Sequence, residues 1–236
     1  MLKKIFLLIV ILGGLTPALA QDKPDVLFIA VDDLNDWVGV LGGHPQTKTP
    51  NIDALAARGM LFTNAHTPSA ACLPARTAIL FGMSPFNSGV YTQLGDWRTN
   101  PTFDDISTLP RYFRENDYLT LGGGKLFHAH TYAASAFAGQ QDVNAWDAYF
   151  PSLERQLPDE VYPPSSFNDD GSVGNGISTG HFDFSPTVTT DDAMGDGQVV
   201  NWISDQLTAH STYRTAFYLC RYFSATSTLV CSREIF

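Results

Sequence analysis

Apolar positions along this chain come in two kinds of block: short continuous runs, and stripes at helical spacing. The run from Asp25 to Val31 is apolar after its first residue and stops abruptly at Asp32-Asp33. That pattern predicts a buried parallel strand with two acids at its carboxyl end, where ligand sites of open α/β sheets form. Thr49 to Gly59 carries the punctuation of a helix: Thr49 as N-cap, Pro50 in the first turn, Gly59 as terminator, and Ile52, Leu55 and Ala56 as a buried stripe. Met60 to Asn64 reads as a second strand. A helix is expected to start just after Cys72, with Pro74 in its first turn, and to run to about Phe81. Another covers Ser107 to Asn116, capped by Ser107, and Tyr118 to Leu121 is a short strand leading into Gly122-Gly-Gly-Lys-Leu-Phe-His128.

Composition shifts to Pro, Gly, Ser, Asn and Asp between Pro158 and Gly180, which predicts a long irregular loop beside a site. Thr190 to Leu207 resumes as a helix with Met194, Val199, Trp202, Ile203, Gln206 and Leu207 roughly on one face, and Ala216 to Cys220 starts another apolar strand. Strands alternating with helices argue for an α/β fold, a mainly parallel sheet flanked by helices.

The first residues change where such a chain is expected to reside. Lys3 and Lys4, an apolar core from Ile5 to Leu15 and the small-residue stretch Ala18-Leu19-Ala20 make the three parts of a secretory signal cut after Ala20. The apolar run is short for spanning a bilayer, and no second run of spanning length follows. The expectation is a secreted or periplasmic protein with no stable membrane anchor, its signal peptide at residues 1–20 and its mature part at 21–236. The chain's 14 Lys and Arg against 24 Asp and Glu give a net charge of −10. A surface of that sign disfavours nucleic acid as a partner, and an anionic substrate would need a local cationic site. Three cysteines, Cys72, Cys220 and Cys231, are an odd number for an oxidising compartment. If the last two pair, Cys72 is left over.

Cys72 and Arg76 lie four residues apart, on one face of the expected helix, with the cysteine at its amino end. Unpaired N–H groups there attract anions, and a guanidinium one turn along would complete a pocket for a tetrahedral oxyanion. The plainer reading is a buried structural thiol beside a surface arginine. Asp32 and Asp33 repel each other unless a cation or protons intervene, and hard oxygen donors suit Ca²⁺ or Mg²⁺. Their plainer reading is a pair of capping or turn aspartates. Asp104-Asp105, Asp169-Asp170 and Asp191-Asp192 are pairs of that kind, and none of them follows an apolar strand. Lys125 and His128 sit in GGGKLFH, which is not a P-loop, because Leu119 stands where its first glycine belongs and Leu126 follows the lysine. Glycines after a strand permit tight turning that aims a lysine into a site; the alternative is a surface lysine and a satisfied loop histidine. His130 completes an H-x-H, but nothing else supports a transition metal there.

Cys72-Leu-Pro-Ala-Arg76 resembles the C-x-P-x-R signature of the type I sulfatases. VLFIAVDDLNDW, TPNIDALAARGMLFTNAH, SAACLPARTAILFG and GGGKLFHAH occur in that family's order and approximate spacing, strongly from Asp25 to His128. A weaker match runs through HFDFSPTVTTDDAMGDGQVVNWISDQL, closest to iduronate-2-sulfatase-like members. The resemblance implies an alkaline-phosphatase-like fold. It implies that a formylglycine-generating maturation enzyme converts Cys72, whose hydrated aldehyde then attacks the sulfur of a sulfate ester, a sulfated small molecule or carbohydrate. A second hydroxyl on the same carbon expels sulfate and regenerates the aldehyde. The resemblance further implies Ca²⁺ (Mg²⁺ is the weaker candidate), with Asp32, Asp33 and the oxygen derived from Cys72 as ligands. Arg76 and Lys125 would bind sulfate, and His128 would orient the nucleophile or assist proton transfer.

Family character is lost over Phe223 to Val230 and returns at Arg233 to Phe236, and no histidine occurs after His210. Sulfatases are usually far longer, with further metal ligands and a second lysine in their later half. The expectation is therefore a chain truncated before the C-terminal subdomain, by a reading-frame disturbance and premature stop, poorly stable and inactive alone. Competing expectations are a formylglycine-dependent phosphonate or phosphodiester hydrolase, a non-catalytic fragment, and a thiol hydrolase using Cys72.

Overall fold

A computed structural model describes residues 23–32, 34–128, 140–153, 158 and 190–210, together with the backbone of 216–222. Four parallel strands form one sheet in the order β1 (Val26–Val31), β4 (Ala216–Tyr222), β2 (Leu119–Gly124), β3 (Ala148–Phe150). Ala30 and Gly124 both pair with Arg221, so β1 and β2 end in one row on either side of β4. Asp32 and Lys125, each just past its strand, leave the sheet from that same edge. The parallel α/β architecture is the one the sequence predicts.

Side chains on a strand alternate between faces, and two adjacent glycines show what lies on each. A Cβ on Gly122 would stand 2.7 Å from the rings of Trp146 and Tyr149, whereas one on Gly123 would stand 3.2 Å from Val199 Cγ1. The Gly122 face carries the main core: Leu80 and Phe81 of helix α2 (Cys72–Phe81), Phe103, Leu126, Phe127, Trp146 and Tyr149, with Leu109 and Phe113 of helix α4 (Leu109–Glu115) packed against them. The rings of Phe81 and Phe103 lie 4.3 Å apart between centroids, and Trp97 stacks on Phe127 at 5.8 Å. The Gly123 face is covered by helix α5 (Gly195–His210) through Val199 and Ile203. Helices thus flank the sheet on both sides, as the alternation of elements requires.

Several expectations are corrected. The helix after Asp33 forms as α1 (Pro50–Arg58), with Pro50 in its first turn, but its stripe is not buried; Leu55 is 59 % exposed. Thr49 does not cap it through the hydroxyl. That oxygen instead takes the N–H of Gly39 at 2.7 Å and donates to Asp53. Met60 to Asn64 is not a strand, and Met60 and Phe62 face outward at 79 % and 71 % exposure. A short apolar stretch has no intrinsic strand character unless a neighbour offers its edge. β1 is buried on one face only: Val26 and Phe28 reach the core, while Leu27, Ile29 and Val31 are exposed, because α5 packs on β2 and β4. Thr108 rather than Ser107 caps α4. Its hydroxyl oxygen accepts from the Arg111 N–H and donates to the buried Asp142 carboxylate at 2.8 Å, while Ser107 turns to Glu115.

Beyond these, the short helix α3 (Pro85–Ser88) and strand β3 have no sequence counterpart among the expectations. The expected helix from Thr190 resolves into a 3-10 turn at Asp191–Ala193 followed by α5. The signal segment, Asp33, His130, Cys231 and the Pro158 to Gly180 loop after its first residue lie outside the described residues.

Gly122→Ala drives a methyl group into two buried rings, and overpacking of that kind costs about 1–3 kcal/mol. Gly59→Ala meets only ordinary contact, with Leu55 O at 3.4 Å, and its φ of −119° suits alanine. Urea unfolding should register a loss for Gly122→Ala and a change within about 0.5 kcal/mol for Gly59→Ala.

Candidate active site

The carboxyl edge of the sheet is organised by one buried side chain. Helix α2 starts at Cys72, accommodates Pro74 in its first turn and ends at Gly82, whose φ of 64° suits glycine. Arg76 follows Cys72 by one turn on the same face and is 1 % exposed. Its Nη2 donates to Asp32 Oδ2 at 2.5 Å. Its Nη1 donates to the carbonyl of Lys125, and to that of Leu126 at 3.4 Å. One guanidinium therefore ties the start of α2 to the end of β1 and to the turn after β2.

That turn is held from several sides. Gly124 takes a φ of 77°, open to glycine at little cost, which reverses the chain directly before Lys125. The Leu126 N–H returns to Gly124 O at 3.1 Å, and the Tyr149 hydroxyl donates to the same carbonyl. Leu126 and Phe127 are buried in the core, leaving Lys125 and His128 half-buried on either side of them. The Gln140 N–H bonds to the carbonyl of His128 at 3.0 Å.

The amino end of α2 is less open than its position implies. Leu73 N–H is taken by Gln93 Oε1 at 2.9 Å, Pro74 has no N–H, and Ala75 N–H bonds to Ala71 O. Cys72 itself is half-buried and a free thiol. Gln93 is a site neighbour that the sequence gives no sign of, since it lies 20 residues from its partner.

Of the six candidate residues, Asp32, Arg76 and the backbone of Lys125 are in direct contact. Cys72 is one helical turn from Arg76, and His128 closes the turn that Lys125 opens. Asp33 lies outside the described residues. The charges of Asp32 and Arg76 offset each other across their buried contact. Among the described residues no three His, Cys, Asp or Glu side chains gather as a metal would need. Asp104 and Asp105 stay on the surface and Asp191 and Asp192 form a 3-10 turn, as expected of pairs that follow no apolar strand.

Three outcomes follow from this packing. Removing one partner of a buried ion pair leaves an uncompensated charge, so Arg76→Met should cost about 3–5 kcal/mol in urea unfolding. The double variant Asp32→Asn, Arg76→Met should lose less than the sum of its singles, by about 0.5–3 kcal/mol; strict additivity would mean that the two side chains do not interact. Burial pushes the Tyr149 phenol above its ordinary value of 10.0. The unfolded chain then releases this proton first, so the stability the neutral phenol contributes is present below pH 10 and falls as pH rises towards the higher folded value. Tyr149→Phe should remove that part of the alkaline decline in unfolding free energy.

The sulfatase family model matches residues 24–209. A sulfatase of Formosa agariphila is 33 % identical over 202 residues, covering 84 % of this chain and 38 % of its own length. Human iduronate 2-sulfatase is 40 % identical over 120 residues, covering 50 % of this chain and 21 % of its own. Among solved structures, one from a glycosaminoglycan-metabolising locus of Bacteroides thetaiotaomicron superposes with a TM-score of 0.55 at 18 % identity, over 85 % of this chain and 51 % of that one. A phosphonate monoester hydrolase of Agrobacterium radiobacter reaches the same TM-score and identity over 86 % and 41 %. The chain thus spans well under half the length of these curated relatives, and its sheet has the alkaline-phosphatase-like arrangement. Among the described residues no helix is long and apolar enough to cross a membrane. The chain belongs to the sulfatase family.

Proposed function

We propose that this chain carries the nucleophile-bearing part of a sulfatase active site, and that the protein hydrolyses a sulfate ester of a carbohydrate. The observation that carries the reading is the buried Arg76 guanidinium, which joins Cys72's helix to Asp32 and to the backbone of Lys125. A carbohydrate substrate is favoured by the likeness to an iduronate 2-sulfatase. Residues 1–20 act as a signal peptide and 21–236 form the N-terminal part of the catalytic domain, in a secreted or periplasmic protein. Its further partner is a formylglycine-generating maturation enzyme acting on Cys72.

Each residue has a task that its surroundings suit. Cys72, once matured, supplies an aldehyde hydrate whose paired hydroxyls serve as nucleophile and as the means of releasing sulfate. Lys125 meets the sulfate oxygens as a point charge on a fixed turn. His128, at the far end of that turn, orients the reacting oxygen or moves its proton. Arg76 has its donors on Asp32 and on two carbonyls, which suits it to holding the site together more than to reaching an ester from solvent.

Asp32 and Asp33 are the residues that would hold Ca²⁺, which when bound lowers the pKa of a coordinated hydroxyl and offsets sulfate charge. Asp32 fits as one hard oxygen donor at the carboxyl edge of the sheet. A calcium ion takes about six to eight such donors, so Asp32 is a fraction of a ligand set.

Co-expression with a formylglycine-generating enzyme, followed by mass spectrometry of the peptide containing Cys72, should show the thiol converted to the aldehyde; an unmodified thiol overturns the reading. In the matured protein, Lys125→Ala should lower kcat/KM on an aryl sulfate by about 10²–10³-fold, the scale of one lost electrostatic contact. Faster turnover of a phosphonate than of a sulfate ester would reassign the substrate class.

A further inference from the structure

GGGKLFH owes its conformation to a residue far along the chain that belongs to none of the recognised motifs. Tyr149 pairs with Gly122 across the β2–β3 ladder and is 7 % exposed. Its ring lies over Gly122, close enough that a Cβ there would be 2.7 Å from Cδ2 and Cε2. From that position its hydroxyl donates to Gly124 O, one residue before Lys125. The next two carbonyls, of Lys125 and Leu126, are taken by Arg76. Three successive carbonyls of the turn are therefore tied to side chains that come from elsewhere in the fold.

Phenylalanine would fill the same apolar space beside Trp146, whose ring centroid is 5.1 Å from that of Tyr149. Burying a hydroxyl is unfavourable unless it is bonded, and this one donates to Gly124 O with the Leu126 backbone and Gln141 also against it, two of the three belonging to the turn. A fixed turn matters because a charge misplaced by about 1 Å forfeits much of its effect on a reacting group.

We propose that Tyr149 is a positioning residue for Lys125, fixing through Gly124 the turn that presents the ammonium group to a sulfate oxyanion. This rests on the reading of Lys125 as the sulfate contact. Gly122 enters as the position whose missing side chain admits the ring.

The test follows trace acylation of Lys125 in the full chain by peptide mass spectrometry, with sodium sulfate as the probe and hydrogen exchange of the Leu126 amide as a second readout. In the native chain sulfate should slow acylation of Lys125. In Tyr149→Phe the half-protecting sulfate concentration should rise by about fivefold to tenfold, the worth of one net hydrogen bond, and Leu126 should exchange faster. Ile203→Val serves as the control for lost stability alone, since it trims the core on the opposite face of the sheet and should leave protection at its native level. Native protection in Tyr149→Phe, or equal weakening in Ile203→Val, overturns the positioning role while sparing the reading of Lys125. Sulfate that protects Lys125 in none of the three proteins overturns that reading, and the positioning role with it.

Discussion

A guanidinium buried to 1 % exposure must have its charge met from within the protein, and the site takes its form from how the two terminal nitrogens of Arg76 are bonded. Asp32 neutralises it from the end of β1, and the carbonyls of Lys125 and Leu126 accept from it at the end of β2. Those strands are not hydrogen-bonded to each other, because β4 lies between them. Arg76 is thus a cross-tie over the carboxyl edge, joining three segments that the sheet alone brings only to the same edge. Moving α2 would carry Cys72 with it and would break an ion pair where water replaces little of what is lost.

The same constraint gives the site its electrostatics. In a chain of net charge −10, any anionic ligand needs a place where the local field is positive. Pairing Asp32 with Arg76 cancels one acid against one base, and Lys125 stands on the turn that Arg76 holds. The turn that carries Lys125 is anchored below by Leu126 and Phe127 in the aromatic core and above by hydrogen bonds to its carbonyls. Core packing and site geometry are one structure here, since Tyr149 belongs to both.

The elements that were legible in the sequence are those whose signals are local. Pro74 and Gly82 bracket α2, and an apolar run stopping at two acids marks β1. The failures are those whose outcome depends on neighbours. Met60 to Asn64 has strand-like composition but pairs with no strand among the described residues; Ile52 and Leu55 make a helical stripe that stays exposed. Thr108 displaced Ser107 as a cap because Asp142, 34 residues on, accepts from its hydroxyl. Gln93 and Tyr149 were invisible for a related reason: each acts on a motif from 20 or more residues away.

The sequence by itself determined the parallel α/β plan, the placement of Asp32 at a strand's end and the one-turn separation of Cys72 and Arg76. Those follow from hydrophobic period, proline and glycine punctuation and helical pitch, all properties of neighbouring residues. Only the tertiary structure decided that Arg76 is enclosed, with its donors spread over β1 and the Lys125 turn, and that Tyr149 grips that turn. Hydrogen bonds and burial between distant segments arise only once a sheet has set those segments side by side, and no local pattern encodes which partner a buried charge will meet.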